Sequence, residues 1–223
     1  MMTQRFPTFR LDLRSFAFVL GALAFIVAVP GVGNAAKDAA LEPAQMAVVQ
    51  KVGDYFNKVT NLQGEFIQVG PRGHVSQGVF YLSKPGKLRF EYSAPNPFLI
   101  VSDGTWVIVN NRKRNKAEYY PLSATPLRLV LEKDVDLLDQ AKIIHVQEDK
   151  ESVSVTLEDK DQLVAGQLTV VFDARSMELR QWVVIDGQGL QTTITLQGLK
   201  DDVSADPKLF EVKLRNEIKN IDR

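Results

Sequence analysis

The stretch QGVFYLSKPGKLRFEYSAPNPFLIVSDGTWVIVNN, residues 77–111, decides how the chain folds. Its apolar residues alternate with polar ones, as where Arg89 and Glu91 separate Leu88, Phe90 and Tyr92. A period of two places one set of side chains on each face of a strand. Lys84-Pro85-Gly86, Ala94-Pro95-Asn96-Pro97 and Asp103-Gly104 break the alternation with turn-forming residues. Joints this short cannot hold a crossover helix, so neighbouring strands run antiparallel. The resulting sheet has one wet face and one broad apolar face, and the apolar face needs a cover.

The same rhythm extends in both directions. The predicted strands are Gly64–Val69, Gln77–Ser83, Lys87–Ser93, Pro97–Ser102, Thr105–Asn110 and Asn115–Tyr120. They resume at Lys142–Glu148, Ser152–Glu158, Gly166–Asp173, Glu178–Asp186 and Leu190–Gln197. A meander of about eleven strands curls into a barrel or a trough. Beyond it, Asp206-Pro207, Phe210 and Val212 suggest a last extended piece, and the chain turns polar from Arg215.

Two segments depart from the strand period. From Pro43 to about Asn61 the spacing is helical, with Val48, Val49, Val52, Phe56 and Val59 on one side. Pro43 suits the first turn of a helix. Ser123 to about Asp139 also breaks the rhythm. There Thr125-Pro126 reads as an N-cap and first helical residue ahead of Leu127, Leu129, Val130 and Leu131. Val135, Leu137 and Leu138 prolong the apolar character. A small surface helix does not need so much apolar surface, so this insertion is expected to plug into a concave apolar face.

The amino-terminal end reads as a targeting signal. Arg5, Arg10 and Arg14 precede an apolar run from Ser15 to Val29, and Gly33-Asn34-Ala35 has the small-x-small form of a cleavage site. A retained membrane anchor is the rival reading, but the run is short for a span of about 20 residues. The expected organisation is a cleavable signal over residues 1–35 and one exported domain over 36–223. The chain has no cysteine, so an exported domain must be held by its own core. Lys plus Arg and Asp plus Glu both number 27, which gives no global field for nucleic acid or an anionic substrate.

Residues for chemistry are sparse. The histidines are His74, in a predicted turn, and His145, in a strand, and neither has a partner at metal-ligand spacing. Glu158, Asp159 and Asp161 read as a charged hairpin tip rather than a cation site. There is no nucleophile elbow, phosphate loop or dinucleotide fingerprint. No enzyme activity, metal or cofactor is therefore expected. Arg112-Lys113-Arg114-Asn115-Lys116 is the densest charge cluster. It reads as a solvated hairpin loop blunting a sheet edge, or as a docking patch for an acidic partner or anionic headgroups. Aromatic residues do not alternate with it, which argues against nucleic acid.

The order of these elements, with particular residues in them, resembles the outer-membrane lipoprotein carrier proteins, the LolA family. The strongest pieces are Leu62-Gln63-Gly64-Glu65-Phe66-Ile67-Gln68, Gly78-Val79-Phe80-Tyr81-Leu82 and Lys84-Pro85-Gly86-Lys87-Leu88-Arg89-Phe90-Glu91-Tyr92. Val101-Ser102-Asp103-Gly104, Tyr120-Pro121-Leu122 and Thr125-Pro126-Leu127 continue the match. The resemblance implies a mainly β fold with an α lid: an unclosed antiparallel β-barrel of about eleven strands whose helices cover a hydrophobic cavity. It implies a monomeric carrier of acylated lipoproteins. Such a carrier receives them from an inner-membrane ABC transporter complex and passes them to an outer-membrane lipoprotein receptor.

Carried over by position, Phe90 and Ile100 line the hollow and Leu127 belongs to the lid. Strand parity adds Phe66, Phe80, Leu82, Trp106, Ile194 and Leu196 to the hollow. Leu129, Val130 and Leu131 extend the lid, while ordinary core packing is the competing account for each of these residues. Leu88 matches a family position near the mouth and joins Arg112, Lys113 and Arg114 as a candidate partner contact. The family often has arginine before the proline of the third strand, where it latches the lid. Lys84 stands there in this chain, with three donors on a flexible stem instead of a planar fork. The competing functional readings are a lipid- or acyl-binding sensor on the same fold and, more remotely, a lipid-ester hydrolase.

Overall fold

The computed structural model describes residues 40–160 and 165–214. The segment read as an export signal, Asp161 and the polar end from Arg215 lie outside the described residues.

Helix α1 (Pro43–Lys58) leads into β1 (Asn61–Val69), β2 (Val75–Ser83), β3 (Lys87–Tyr92), β4 (Phe98–Asp103), β5 (Trp106–Asn111) and β6 (Lys116–Pro121). After the insertion come β7 (Ala141–Glu148), β8 (Ser152–Asp159), β9 (Gly166–Asp173), β10 (Leu179–Asp186) and β11 (Gln191–Asp201). These form one 11-stranded sheet in the order β6-β5-β4-β3-β2-β1-β11-β10-β9-β8-β7. Each hairpin pairs with its neighbour in sequence, and β1 with β11 joins the two halves. Both ends of the order, β6 and β7, stay unpaired as edges, so the barrel is unclosed.

The chain crosses from one open edge to the other through the predicted insertion. It holds a 3-10 turn at Leu122–Ala124, α2 (Arg128–Leu131) and α3 (Leu137–Gln140). Thr125 does not cap α2 as the sequence suggests. Its hydroxyl donates back to the Leu122 carbonyl at 2.9 Å, and the next turns are of 3-10 type, with Arg128 N–H on the Thr125 carbonyl. The regular helix begins only at Arg128.

Helix α1 stops short of the expected Asn61, because Asn61 already pairs with Ser83 in the sheet. Its stripe of Val48, Val49, Val52 and Phe56 is buried as its spacing requires. At its start the Glu42 N–H donates to Gln45 Oε1 at 3.0 Å. Phe172 seats its other end, with Tyr55 and Phe56 packed edge-on at 4.9 and 6.0 Å. The carboxy-terminal piece is not extended throughout. Pro207–Phe210 forms a 3-10 turn that buries Phe210 on the outer face against Leu99 and Val101.

Candidate functional site

Register assigns the inner face. Cross-strand partners share a face of a sheet, so Phe66↔Gly78, Phe80↔Gly64, Phe80↔Phe90, Phe90↔Ile100 and Phe66↔Leu196 trace a continuous apolar wall. Ile194↔Trp182 and Trp182↔Val170 carry that wall into the second half. Two of its bulky rings sit opposite glycine. A Cβ on Gly78 would stand 2.0 Å from the Glu91 carbonyl oxygen and 2.9 Å from the Phe66 ring, so only glycine fits beneath that ring.

Phe90 is the hub of the wall. Its ring lies 4.9 Å from Phe66 and 6.1 Å from Trp182, both edge-on, and is stacked on Phe80 at 5.9 Å. Tyr92 extends the cluster, edge-on to Phe66 at 5.1 Å. Its hydroxyl donates to Gln68 Oε1 at 2.6 Å, and burial pushes its pKa up to about 12.

The insertion fills the concavity. Leu129, Val130 and Leu131 are wholly buried, Val135 and Leu137 nearly so, and all join the cluster that contains the inner face. Leu127 packs against that cluster half-buried, whereas Leu138 stays exposed. Fully burying three aliphatic side chains contributes about 5–8 kcal/mol.

Polar contacts that hold the insertion come from three directions. The side-chain amide of Asn57 on α1 bonds both backbone groups of Val135. Gly86, in the β2–β3 turn, donates its N–H to the Leu131 carbonyl at 2.8 Å. Gly86 has φ 72°, and a Cβ there would stand 2.7 Å from Gly104 Cα; glycine lets the two turns close on each other beneath the insertion. Ser102, buried, donates to the Gly86 carbonyl at 2.6 Å and fixes that turn. The third contact is an ion pair between Arg128 of α2 and Asp159 at the end of β8. Asp159 is therefore a buried lid partner and not the exposed hairpin tip suggested by the sequence.

Lys84 bonds the leading helix and not the insertion. Its Nζ donates to the Phe56 carbonyl at 2.8 Å, in the last turn of α1, instead of to the insertion. That carbonyl lies among those a helix leaves open at its carboxy-terminal end, where a cation is also favoured by the helix dipole. Burial holds the Lys84 ammonium below the usual lysine range, partly offset by Asp134 and Glu132 of the insertion. The lid carbonyl is taken instead by the backbone of Gly86. A groove of about 850 Å³ runs between these turns and the insertion, lined among others by Gly86, Gly104, Leu122, Arg128, Leu131 and Asp134.

The structure brings together most of the residues that the sequence places in the hollow. Phe66, Phe80, Leu82, Phe90, Ile100, Ile194 and Leu196 all belong to the inner-face cluster or pack on it. Trp106 does not: it is on the outer face and 41% exposed. The Asp103 carboxylate accepts from the N–H groups of Thr105 and Trp106 at 2.7 and 2.8 Å, setting a turn after which Val107 points inward. Leu88 is also corrected as a partner contact, since it is 2% exposed within the inner cluster. Arg112 is engaged on the outer face: it donates to Glu91 at 2.8 Å and to the Tyr92 carbonyl at 3.1 Å. Lys113 and Arg114 remain exposed at the β5–β6 turn, as do His74 and His145 elsewhere.

Parity reasoning missed Tyr92 and Trp182. Tyr92 simply continues the alternation of Leu88 and Phe90. In β10 a register shift between Leu179 and Gln181 breaks the alternation just before Trp182.

Fold and site together define a half-barrel whose apolar concavity is covered and filled by an internal insertion. Residues 57–213 match the family described as "Outer membrane lipoprotein carrier protein LolA", and the chain belongs to that family. Proteins named outer-membrane lipoprotein carrier protein are similar to it. The one from Shewanella halifaxensis is 27% identical over 168 residues, covering 73% of this chain and 75% of that protein. The one from Pseudomonas aeruginosa PAO1 is 27% identical over 173 residues, covering 74% and 82%. Among solved structures, a LolA superfamily protein of Nitrosomonas europaea superposes with TM-score 0.42 at 7% identity, over 74% of this chain and 97% of that one. An uncharacterized conserved protein from Thermus thermophilus gives TM-score 0.47 at 11% identity, over 77% and 96%.

Proposed function

We propose that this protein is a periplasmic carrier that shields the acyl chains of lipoproteins and ferries them from the inner to the outer membrane. It is exported by a signal cleaved near Ala35 and acts as a monomer without catalysis. An inner-membrane ABC transporter complex loads it, and an outer-membrane lipoprotein receptor unloads it. Family membership supports the class of cargo.

The observation that carries the reading is the burial of Leu129, Val130 and Leu131 in the concavity of the sheet. Acyl chains will not cross water unaided, because each buried methylene is worth about 0.8 kcal/mol. Those three side chains contribute about 5–8 kcal/mol in the same place, the equivalent of roughly six to ten buried methylenes. Return of the insertion then offsets part of what an acyl chain gains by entering, which helps cargo leave without an energy source in the carrier itself. Phe66, Phe80, Leu82, Phe90, Ile100, Ile194 and Leu196 form the wall that the chains would meet.

Depletion in the native cell tests the proposal. Outer-membrane lipoproteins should accumulate at the inner membrane, and intact lipoprotein should copurify with the tagged carrier. Normal sorting after depletion, or copurification of phospholipid alone, would overturn it.

A further inference from the structure

Trp182 is wholly buried on the inner face, yet its indole Nε1–H has no hydrogen-bond partner. Its cross-strand neighbours are Val170 and Ile194, and the nearest ring is Phe90, edge-on at 6.1 Å. None of these side chains offers an acceptor. A bridging water needs about two to four polar partners, which this apolar neighbourhood does not supply. A buried donor left without a partner costs more than an ordinary hydrogen bond returns. Phenylalanine or leucine would fill such a position without that penalty.

We propose that the Trp182 N–H is a polar contact of the inner wall, donating to a neutral carbonyl at the head of an acyl chain when the insertion has moved aside. This rests on the carrier reading and narrows it. The group recognised is an ester or amide carbonyl rather than a free carboxylate. A carboxylate taken into this wall would keep its charge with one neutral donor beside it, too little to replace its lost water. An acylated glyceryl or amino-terminal group brings its carbonyls in neutral form, and one indole N–H suits one of them.

The chain has two tryptophans, so its indole N–H resonances are separable, and exposed Trp106 serves as internal reference. The probes are a monoacylglycerol and its 1-O-alkyl ether of equal chain length. The Trp182 indole proton should move downfield with the ester and much less with the ether, while Trp106 stays still. Replacing Trp182 with benzothienylalanine keeps the ring shape and removes the N–H. Affinity for the ester should then fall roughly three- to tenfold, with the ether unaffected. Equal shifts with both probes, or equal affinity changes, would overturn the carbonyl contact while leaving the carrier reading intact. Failure of the unaltered protein to bind either probe would sink both.

Discussion

The side-chain amide of Asn57 grips Val135 by both of its backbone groups. Nδ2 donates to the carbonyl at 2.9 Å, and Oδ1 accepts from the N–H at 2.8 Å. These paired bonds tie the last turn of α1 to the strap between α2 and α3. In Asn57→Ala both backbone groups must turn to water, which is close because Asn57 lies at the surface. We expect a loss of about 1 kcal/mol in urea unfolding. Amide exchange should accelerate at Val135 and along α2, with β2 and β3 unchanged. Uniform acceleration across the sheet would show that the pair supports the whole fold and not the lid.

Lys84 tests the division of labour between the two covers. Because its Nζ bonds α1 while Gly86 N–H bonds the insertion, Lys84→Met should loosen the end of α1 first. Exchange at Val59, whose N–H closes that turn on Tyr55, should rise several-fold. The Leu131 contact should persist. Thermal stability should change little, since removing a partly desolvated ammonium offsets the lost bond. If acyl-ligand loading changes more than exchange at α1 does, the lysine acts on the lid through Glu132 and Asp134.

Strand alternation made most of the barrel legible. Its period fixed the faces of β1, β2 and β11, and five of the hollow residues read from it, Phe66, Phe80, Leu82, Ile194 and Leu196, fall on the inner cluster. Where parity failed, a local turn or register shift had changed the count. The Asp103 turn moved Trp106 outward, and the irregularity after Leu179 hid Trp182. Lid contacts were illegible for another reason: Asn57 meets Val135 across 78 residues, and no periodicity encodes such a pairing. Leu88 shows a further limit. Nothing in an alternating run says whether an inward residue sits at the rim or under the lid.

On the outer face, Glu91 links Arg89 at 2.7 Å with Arg112 at 2.8 Å, and Arg89 also donates to the Leu209 carbonyl. The hydrogen bond from Arg89, then its charge and the contacts from Arg112, hold the Glu91 carboxyl below the ordinary glutamate value of 4.5. A carboxylate depressed in the folded state binds fewer protons folded than unfolded. Its stabilisation is therefore fully present above about pH 4.5 and is lost as pH falls through the folded-state value. Glu91→Gln should lower stability modestly at pH 7 and make little difference near pH 3. Because the pair is partly exposed, added salt should shrink the pH 7 effect. Urea midpoints of both proteins at the two pH values, with and without salt, measure this. An equal deficit at pH 3 would mean packing, not charge, is responsible.

Leu129 tests whether lid and ligand compete for one space. It is fully buried in the concavity, so Leu129→Asn would leave a side-chain amide without partners there and drive the insertion outward. The sheet should remain, since its strands are held by their own ladders and by the Phe66–Phe90–Phe80 cluster. Far-UV circular dichroism should stay near that of the unaltered protein, while a fluorescent apolar dye gains intensity from the uncovered wall. A ligand that must displace the insertion is penalised by the stability of the closed form. Weakening that form by about 1.4 kcal/mol should tighten acyl-ligand binding about tenfold. Weaker binding with the sheet intact would show instead that the leucine belongs to the wall that ligand contacts, and that the insertion closes over cargo rather than giving way to it.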